Sequence, residues 1–369
     1  MATEPTVPVI DGHNDILSRG YRDKEYNFVT GAKAGHLDLE GAFDSGFAGG
    51  FFAIYVPSTA ADEARKRSFD GNLSTPGPIP LNRAQRAVLD MFSRLRRYVE
   101  ESQGRLVAAR RPEDLEGAVA SHRTPANAGT PSPRVAPPRV AAVCHMEGAE
   151  AIDSGLKALD LYYEAGLRSL GLVWSRTNRF ATGVPFAFDR SPDIGPGLTR
   201  AGRELVARCN GLGIIVDLSH LNAAGFRDVA KYSKAPLVAS HSNAWSLCKS
   251  TRNLTDDQLA AIRDSDGLVG INFGVPFLRG DGGRREDTPI SVIVDHLEYI
   301  ADRVGIDRVG FGSDFDGVLI PTELGGVRGL PSLIEHLRER GWSAEELEKI
   351  AHRNWIRVFR QTISYQQAC

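Results

Sequence analysis

Short apolar segments alternate with amphipathic helical segments along most of this chain. Eight of the apolar segments are rich in β-branched, aromatic and small residues, which is typical of strands buried on both faces. They span residues 7–10, 49–57, 140–143, 167–174, 213–217, 236–239, 267–272 and 308–312. Apolar residues recur with helical spacing over residues 82–100, 155–165, 199–210, 222–231, 255–264 and 291–304.

This alternation predicts an α/β fold. Strand–helix–strand units connect through right-handed crossovers and build a parallel sheet. Eight such units favour closure into a (β/α)8 barrel of the TIM type, and an open doubly wound sheet is the alternative. We expect one barrel domain over residues 1–369. Within it, segment 121–138 is rich in Pro, Ala and Ser and is predicted to be a mobile surface loop.

Charge and composition argue against several kinds of partner. Lys and Arg total 44 and Asp and Glu total 46, so we expect neither nucleic acid nor an anionic membrane as a partner. The sequence has no run of about 18 apolar residues that would predict a membrane span. Residues 1–6 lack the basic and apolar parts of a signal peptide. The four cysteines form no CxxC pair, so we expect reduced core thiols and a cytoplasmic protein.

Imidazoles and carboxylates follow the predicted strands repeatedly. His13 and Asp15 come directly after the first strand, and side chains at positions i and i+2 of an extended chain share a face. Later strands end near Glu147, His220, His241 and Asp314. In a barrel of parallel strands these ends meet at one rim, where catalytic groups collect. Imidazole and carboxylate side by side suit a borderline divalent cation such as zinc.

The number of these groups predicts more than one ion. Three imidazoles and three carboxylates exceed what one tetrahedral zinc ion with an open position needs. They suit two ions that share a carboxylate and a bridging water. The alternative, that all are satisfied structural residues, is hard to reconcile with five strand ends of this kind. A second His-x-Asp, His36 to Asp38, lies in a Gly-punctuated loop and ranks below His13 and Asp15 as a metal site.

Taken together, the motifs resemble the renal (membrane) dipeptidase family of metallopeptidases. The resemblance runs from about residue 9 to about residue 360 and depends on motifs that occur in the family's order. These are Asp11-Gly-His-Asn-Asp15, Gly49-Gly-Phe-Phe-Ala-Ile-Tyr55, Glu147-Gly148, Leu198-Thr-Arg-Ala-Gly-Arg-Glu-Leu205, Asp217-Leu-Ser-His220, Ser240-His241-Ser242, Ser246-Leu-Cys-Lys-Ser-Thr-Arg252-Asn253 and Gly312-Ser-Asp-Phe-Asp-Gly317.

The resemblance implies a distorted (β/α)8 barrel of the amidohydrolase type that holds two zinc ions. One ion is expected on His13, Asp15 and Glu147, and the other on Glu147, His220 and His241, so that Glu147 bridges them. A metal-bridged hydroxide would then attack the peptide bond of a dipeptide.

Three further positions match substrate or catalytic residues of the family. Asp314 matches the aspartate that transfers the proton. Arg252 matches the arginine that binds the substrate's terminal carboxylate, a role that suits a bidentate guanidinium. Tyr55 matches a tyrosine that faces the substrate. Related enzymes are often dimers, although the sequence leaves the oligomeric state open.

Two positions depart from the family pattern. Many members carry a substrate-contacting histidine after the fourth strand, and Trp174 stands in that place here. An indole donates one hydrogen bond but carries no charge. We hypothesise that the nearby Arg176 replaces the lost donor. Near the C-terminus, His352-Arg-Asn354 stands where Gly-Gly-Asn is usual, which predicts an altered cap after a helix over 344–351.

Three functions follow from these observations. The first is binuclear zinc-dependent hydrolysis of dipeptides. The second keeps the metal chemistry and changes the substrate to another small amide, a lactam or a lactone, such as an N-acyl amino acid or a specialised conjugate, because of Trp174. The third is a metal-binding protein without catalysis, and the presence of Asp314 beside all five ligands argues against it.

Overall fold

The computed structural model describes residues 7–33, 35–69, 73–123 and 137–368. The strands are β1 (Val9–Asn14), β2 (Phe47–Tyr55), β3 (Arg67–Ser68), β4 (Ser74–Thr75), β5 (Leu106–Ala109), β6 (Val140–Glu147), β7 (Leu167–Gly171), β8 (Ile215–Asp217), β9 (Val238–Ala239), β10 (Leu268–Ile271) and β11 (Val309–Phe311).

The helices surround these strands. They are α1 (Ile16–Arg22), α2 (Leu39–Ser45), α3 (Ala60–Ala64), α4 (Leu81–Glu101), α5 (Pro112–His122), α6 (Lys157–Ala165), α7 (Arg200–Leu212), α8 (Ala223–Tyr232), α9 (Asp256–Asp264), α10 (Val275–Leu278), α11 (Ser291–Val304), α12 (Leu330–Glu339), α13 (Ala344–Glu348) and α14 (Asn354–Ala368). Short 3-10 turns lie at Ala149–Ala151, Ile306–Arg308 and Val327–Gly329.

Eight parallel strands close into a barrel. Their order is β2-β1-β11-β10-β9-β8-β7-β6, and β6 pairs again with β2. These are the eight strands that the sequence predicts, so the TIM-type barrel is confirmed and the open sheet is not formed. Strand β5 was not predicted and lies outside the closed ring, where it pairs with the N-terminal half of β6. Because all barrel pairings are parallel, the C-terminal ends of the eight strands share one rim.

The helix boundaries follow local capping chemistry. The side chain of Thr199 accepts a hydrogen bond from the Gly202 amide at the start of α7, and Gly213 ends that helix at φ 66°. The inward face of α7 buries Leu205, Val206 and Cys209. Helices of this kind cover the outside of the barrel and fix the direction in which each following strand enters it.

The opposite end of the barrel is filled by Trp355 of α14. Its indole nitrogen donates to the carbonyl of Phe311 at 2.9 Å, and the side chain is fully buried. A Cβ at Gly12 or Gly310 would collide with the indole, so glycine is required at both positions for space. One end of the barrel is therefore filled by side chains, and only the C-terminal rim is open to a ligand.

The C-terminal helices correct one prediction. A helix over 344–351 followed by an altered cap was expected, but α13 ends at Glu348 and continues through a π-helical turn, Lys349–Arg353, into α14. His352 is buried within that turn, and its Nδ1 lies 2.8 Å from the carbonyl oxygen of Pro8. His352 therefore connects the π-helical turn to the residue before β1 and does not cap a helix.

Three smaller findings complete the fold. The predicted mobile segment 121–138 begins within α5, and its residues 124–136 lie outside the described residues. Cys144, Cys209 and Cys248 are free and buried, as expected for core thiols. None of the described helices combines the length and apolar character needed to cross a membrane.

Candidate metal centre and substrate cavity

The five predicted metal ligands come together at the open rim of the barrel. His13 belongs to β1 and Glu147 is the last residue of β6. Asp15, His220 and His241 lie in the first few residues after β1, β8 and β9. All five side chains are buried. We call this set of five residues the metal-binding wall.

Glu147 lies at the centre of the metal-binding wall. Its Oε1 atom is 2.9 Å from Nε2 of His220, 3.5 Å from Nε2 of His241 and 3.8 Å from Nε2 of His13. On the far side, Nε2 of His13 is 3.5 Å from Oδ2 of Asp15. The carboxylate thus stands between a His13–Asp15 side and a His220–His241 side, which is where a bridging ligand has to be.

The tautomer of His241 shows that its free nitrogen faces the centre. The Ser240 hydroxyl donates its proton to Oδ2 of Asp217 at 2.6 Å, so it accepts from Nδ1 of His241 at 2.8 Å. The lone pair on Nε2 of His241 then faces Nε2 of His220 at 3.1 Å. Neither ring nitrogen of His13 has a hydrogen-bond partner within the described residues. The Nε2 atom of His13 therefore makes no hydrogen bond within the described residues and lies beside carboxylates. Such an arrangement fits a divalent cation.

The electrostatics of the centre lead to the same conclusion. Burial lowers the pKa of His220 and of His241 well below the usual range, and nearby cationic groups lower it further. Burial alone would also lower the pKa of His13, but Glu147 and the neighbouring carboxylates raise it to about 10. Burial raises the pKa of Glu147 to about 8. The carboxylates around His13 therefore favour positive charge at this place, which either a proton on His13 or a bound cation supplies.

Asp314 lies within ligand distance of the same centre. Its carboxylate groups with His13 and Asp15, all within 4.8 Å of one another, and its backbone amide donates to the His13 carbonyl at 3.0 Å. The side-chain amide of Asn272 donates to Oδ2 of Asp314 at 2.9 Å. Asp314 and His220 have φ values of 60° and 67°, a left-handed conformation that is costly for these residues. Such strain is concentrated at functional sites.

Two adjoining cavities open at this rim. The inner cavity, of about 170 Å³, reaches the metal-binding wall, and the outer cavity, of about 510 Å³, leads to the surface. Both share the side chains of Trp174, Phe186 and Phe277. The inner cavity is also lined by Asp15, Arg22, Tyr55, Glu147, His220, Asp314, Gly317 and Val318.

Four aromatic side chains form a second wall of the inner cavity. Ring centroids are 5.0 Å apart between Tyr55 and Trp174, 5.3 Å between Trp174 and Phe186, and 6.0 Å between Phe186 and Phe277. We call these four residues the aromatic wall. Trp174 also lies 5.8 Å from the ring of His220, so the two walls meet there.

Arg252 is buried beside both walls. One of its terminal nitrogens donates to the carbonyl of His241 at 3.2 Å, and its guanidinium carbon lies 5.5 Å from the ring centroid of Phe277. Burial lowers its pKa to about 10, so the guanidinium remains charged at neutral pH. Nε of Arg252 has no hydrogen-bond partner within the described residues. Arg252 is 4% exposed and lines neither cavity, so its contact with a substrate carboxylate remains a prediction.

Of the other three predicted substrate residues, two line the inner cavity and one does not. Tyr55 and Trp174 line the inner cavity, as a substrate contact requires. Arg176 is fully buried and lines neither cavity. Its guanidinium lies behind the wall, 4.9 Å from the ring of Trp174. Direct donation from Arg176 to a substrate, as hypothesised from the sequence, therefore has no support in this geometry.

The less favoured motif, His36 to Asp38, has structural roles. The Asp38 side chain accepts from the Gly41 amide at 2.7 Å and caps α2. Nδ1 of His36 accepts from the Asp316 amide at 3.0 Å. Neither residue belongs to a metal-ligand group in the described part of the chain.

Several residues of the site were not predicted from the sequence. Phe186, Phe277 and Arg22 line the inner cavity. Their positions in loops and short helices give no periodic signal. Asp217 and Ser240, which orient His241, stand inside motifs that also carry ligands, so their closeness to those ligands was the available signal.

Comparison with known proteins assigns the family. The family described as membrane dipeptidase (peptidase family M19) matches residues 3–369. An uncharacterised protein from the pqqA 5′ region of Klebsiella pneumoniae is 50% identical over 221 residues, which cover 60% of this chain and 82% of that protein. A second, from the PQQ-III 3′ region of Acinetobacter calcoaceticus, is 38% identical over 304 residues, covering 81% of this chain and 90% of that protein.

The fold also matches a solved relative. The crystal structure of a metallopeptidase from Rhodobacter sphaeroides, liganded with a phosphinate mimic of the dipeptide L-Ala-D-Ala, superposes with a TM-score of 0.87. The two sequences are 44% identical, and the match covers 97% of this chain and 99% of the other. The resemblance inferred from the motifs is thereby confirmed, and the chain belongs to the membrane dipeptidase family, peptidase family M19.

Proposed function

We propose that this protein hydrolyses the peptide bond of dipeptides with two zinc ions bound at the metal-binding wall. His13, Asp15 and Glu147 would hold one ion, and Glu147, His220 and His241 the other. The observation that carries the proposal is the convergence of three imidazoles on Oε1 of Glu147, with Asp15 beside His13. Asp15, Glu147, His220 and Asp314 of this group line one small cavity. Bound zinc would lower the pKa of water and polarise a peptide carbonyl.

The protein's own groups would perform the remaining steps. Arg252 binds the terminal carboxylate of the dipeptide, which sets the distance from that carboxylate to the scissile bond. Water adds to the peptide carbon, and its proton passes to the carboxylate of Asp314. Asp314 then delivers that proton to the amine as the C–N bond breaks. The hydrogen bond from Asn272 holds Asp314 in place during both transfers.

The Rhodobacter sphaeroides relative supports dipeptides as the substrate class. That protein was crystallised with a mimic of L-Ala-D-Ala, and it is 44% identical to this chain. We extend the same substrate class to this protein, including a D-residue at the carboxyl end. The cytoplasmic location and a homodimeric state stay predictions.

A second candidate keeps this chemistry and changes the substrate. Trp174 stands where many family members have a substrate-contacting histidine, and it lines an outer cavity of about 510 Å³ beyond the inner one. That volume lies within the usual range for small-molecule sites. An N-acyl amino acid or a lactone would use this additional space.

Metal content and turnover test both candidates. Protein purified without added metal is analysed for metal per chain, and the wild type and Asp314→Asn are assayed on dipeptides, N-acyl amino acids and lactones. We expect about two zinc per chain in both proteins, and dipeptide turnover at least about 100-fold lower in the variant. Metal binding without dipeptide turnover would favour the second candidate. Protein that holds no metal and gains no activity with zinc would contradict both.

A further inference from the structure

A buried arginine lies directly behind the aromatic wall and contacts one of its members. Arg176 is fully buried, and its Nη2 donates to the Tyr55 hydroxyl at 3.0 Å and to the Val56 carbonyl at 3.0 Å. Its guanidinium carbon lies 5.4 Å from the ring centroid of Tyr55 and 4.9 Å from that of Trp174. One side chain therefore touches the hydroxyl of Tyr55 and the rings of two neighbouring residues of the wall.

Packing alone does not account for this arginine. A buried guanidinium is a permanent cation whose removal from water costs several kcal/mol unless it is fully paired. Its nearest carboxylate oxygen, Oε1 of Glu150, lies 3.8 Å from Nε and is buried as well. Nε and Nη1 have no hydrogen-bond partner within the described residues. Buried polar groups that are satisfied this poorly call for a functional explanation.

The contact fixes the direction in which Tyr55 can donate. A phenol has one proton and accepts through its oxygen lone pairs, and here a lone pair is occupied by Arg176. The hydroxyl proton has no acceptor within the described residues, and Tyr55 lines the inner cavity. Burial raises the pKa of Tyr55, so the hydroxyl keeps its proton at neutral pH. Tyr55 is therefore a neutral donor with its proton available to the cavity.

The register of the barrel brings this donor to the reacting position. Tyr55 and Glu147 are paired residues at the ends of β2 and β6. The Tyr55 amide also donates to the Ser18 hydroxyl at 3.1 Å, so the residue is fixed at its backbone as well as at its hydroxyl. Side chains of paired residues on adjacent strands lie on the same face of the sheet, so Tyr55 projects beside Glu147 of the metal-binding wall.

We propose that Arg176 is a positioning residue that holds the Tyr55 hydroxyl as the hydrogen-bond donor to the scissile carbonyl oxygen. The inference rests on the proposed hydrolytic function. In many family members a histidine at the position of Trp174 supplies this donor. In this chain Tyr55, whose ring packs against Trp174, supplies it instead. Arg176 acts through Tyr55 and does not touch the substrate.

A double-mutant cycle tests the coupling. We compare Tyr55→Phe, Arg176→Met and the double variant in kcat, KM, metal content and affinity for a phosphinate dipeptide mimic. Tyr55→Phe should lower kcat about 100-fold with KM nearly unchanged, since removing one such donor costs about that much. Arg176→Met should lower kcat about 10-fold or more. The double variant should be no slower than Tyr55→Phe, because Arg176 has nothing left to position.

Two further variants keep the result interpretable. If Arg176→Met does not fold, a variant that carries both Arg176→Met and Glu150→Gln takes its place in the cycle. This variant removes both buried charges, so no unpaired charge is left behind. Arg168 is a matched control because it is a buried arginine stacked on a tyrosine ring, Tyr163, at 4.2 Å, and it lies at the start of β7, away from the rim. Arg168→Met should lower thermal stability and leave kcat unchanged.

Defined outcomes would overturn the inference. Additive losses in the double variant would show that Arg176 acts independently of Tyr55. Full kcat in Tyr55→Phe together with a large loss in Trp174→Phe would assign the donor to the indole. In both cases the wild type still hydrolyses dipeptides, so the proposed function stands. If the wild type does not hydrolyse dipeptides, the same variants are compared by their dissociation constants for the phosphinate mimic. A wild-type protein that does not bind this mimic would contradict both the proposed function and the role of Arg176.

Discussion

The two walls of the inner cavity are built by different means. The metal-binding wall consists of strand residues and of residues that lie within three positions of a strand end, and all of them are buried. In the aromatic wall, Tyr55 ends a strand, but Trp174 and Phe186 come from loops and Phe277 from the short helix α10. Phe186 is 53% exposed. One wall is thus fixed by the barrel, while most of the other depends on the segments that connect its strands.

This difference separates chemistry from selectivity. Hydrogen bonds between neighbouring strand ends, such as the one from Ser240 to Asp217, hold the predicted ligands in place, as metal coordination requires. Loop residues tolerate substitution with little effect on the barrel, and loops carry specificity in barrels of this type. The same metal centre can therefore serve different substrates when only the aromatic wall changes.

Removal of the central ligand should have the largest effect. Glu147→Gln keeps the size of the side chain but replaces an anionic oxygen with an amide, so neither ion would retain its shared ligand. We expect metal content to fall below one ion per chain and turnover to drop roughly 1,000-fold or more. Elemental analysis and steady-state kinetics on the same preparation measure both. Normal metal content in this variant would contradict a bridging role for Glu147.

Disturbing the support of a ligand should have the next largest effect. Asp217 accepts hydrogen bonds from the amides of Ser219 and Ser240 and from the Ser240 hydroxyl, and it thereby sets the tautomer of His241. Asp217→Asn should weaken zinc affinity about 10- to 100-fold, as loss of such a partner typically does. Excess zinc should then restore most of the turnover. A loss of turnover that zinc does not restore would show that Asp217 acts on something other than metal binding.

The contrast between the walls also explains what the sequence could predict. A strand buried in a barrel reaches the rim with an abrupt change from apolar to polar residues, and the change at His13 or at His220 is visible locally. Phe186 and Phe277 look like core residues in the sequence, and only the folded loops show that they face a cavity. Strand β5 was missed although β8 and β9 are shorter, because it lies outside the closed ring and the eight-strand pattern gives no reason to expect it. The burial of Arg176 depends on packing between distant segments and could not be predicted.

Truncation within the aromatic wall should affect substrate binding and leave the metal centre intact. Phe186 lines both cavities and is 53% exposed, so Phe186→Ala removes contact area without opening the core. We expect KM for dipeptides with apolar side chains to rise about 10-fold, with unchanged metal content and a stability change within about 0.5 kcal/mol. Phe188 lines only the outer cavity, and Phe188→Ala should change KM for dipeptides less. Equal effects of the two variants would contradict a separate inner cavity.

Acid should weaken the support of the aromatic wall through one buried histidine. His296 of α11 accepts from the Ala244 amide at 3.1 Å, and its Nε2 lies 2.8 Å from the Leu278 carbonyl, beside Phe277. Burial lowers its pKa to about 4, below the value of about 6.5 expected in the unfolded chain. The neutral form is therefore favoured by folding, and its contribution to stability is complete above pH 6.5 and is lost as the pH falls towards 4. Between pH 7 and pH 5.5 the loss should be about 1 kcal/mol.

The variant His296→Gln isolates this contribution. Glutamine has one donor and one acceptor for the same two backbone groups and does not titrate in this range. Urea unfolding of both proteins at pH 7 and pH 5.5 should show that the variant loses about 1 kcal/mol less than the wild type on acidification. The variant and the wild type could instead lose the same free energy of unfolding between pH 7 and pH 5.5. Protonation of His296 would then not weaken the support of the aromatic wall, and packing alone would have to explain how the connecting segments hold that wall.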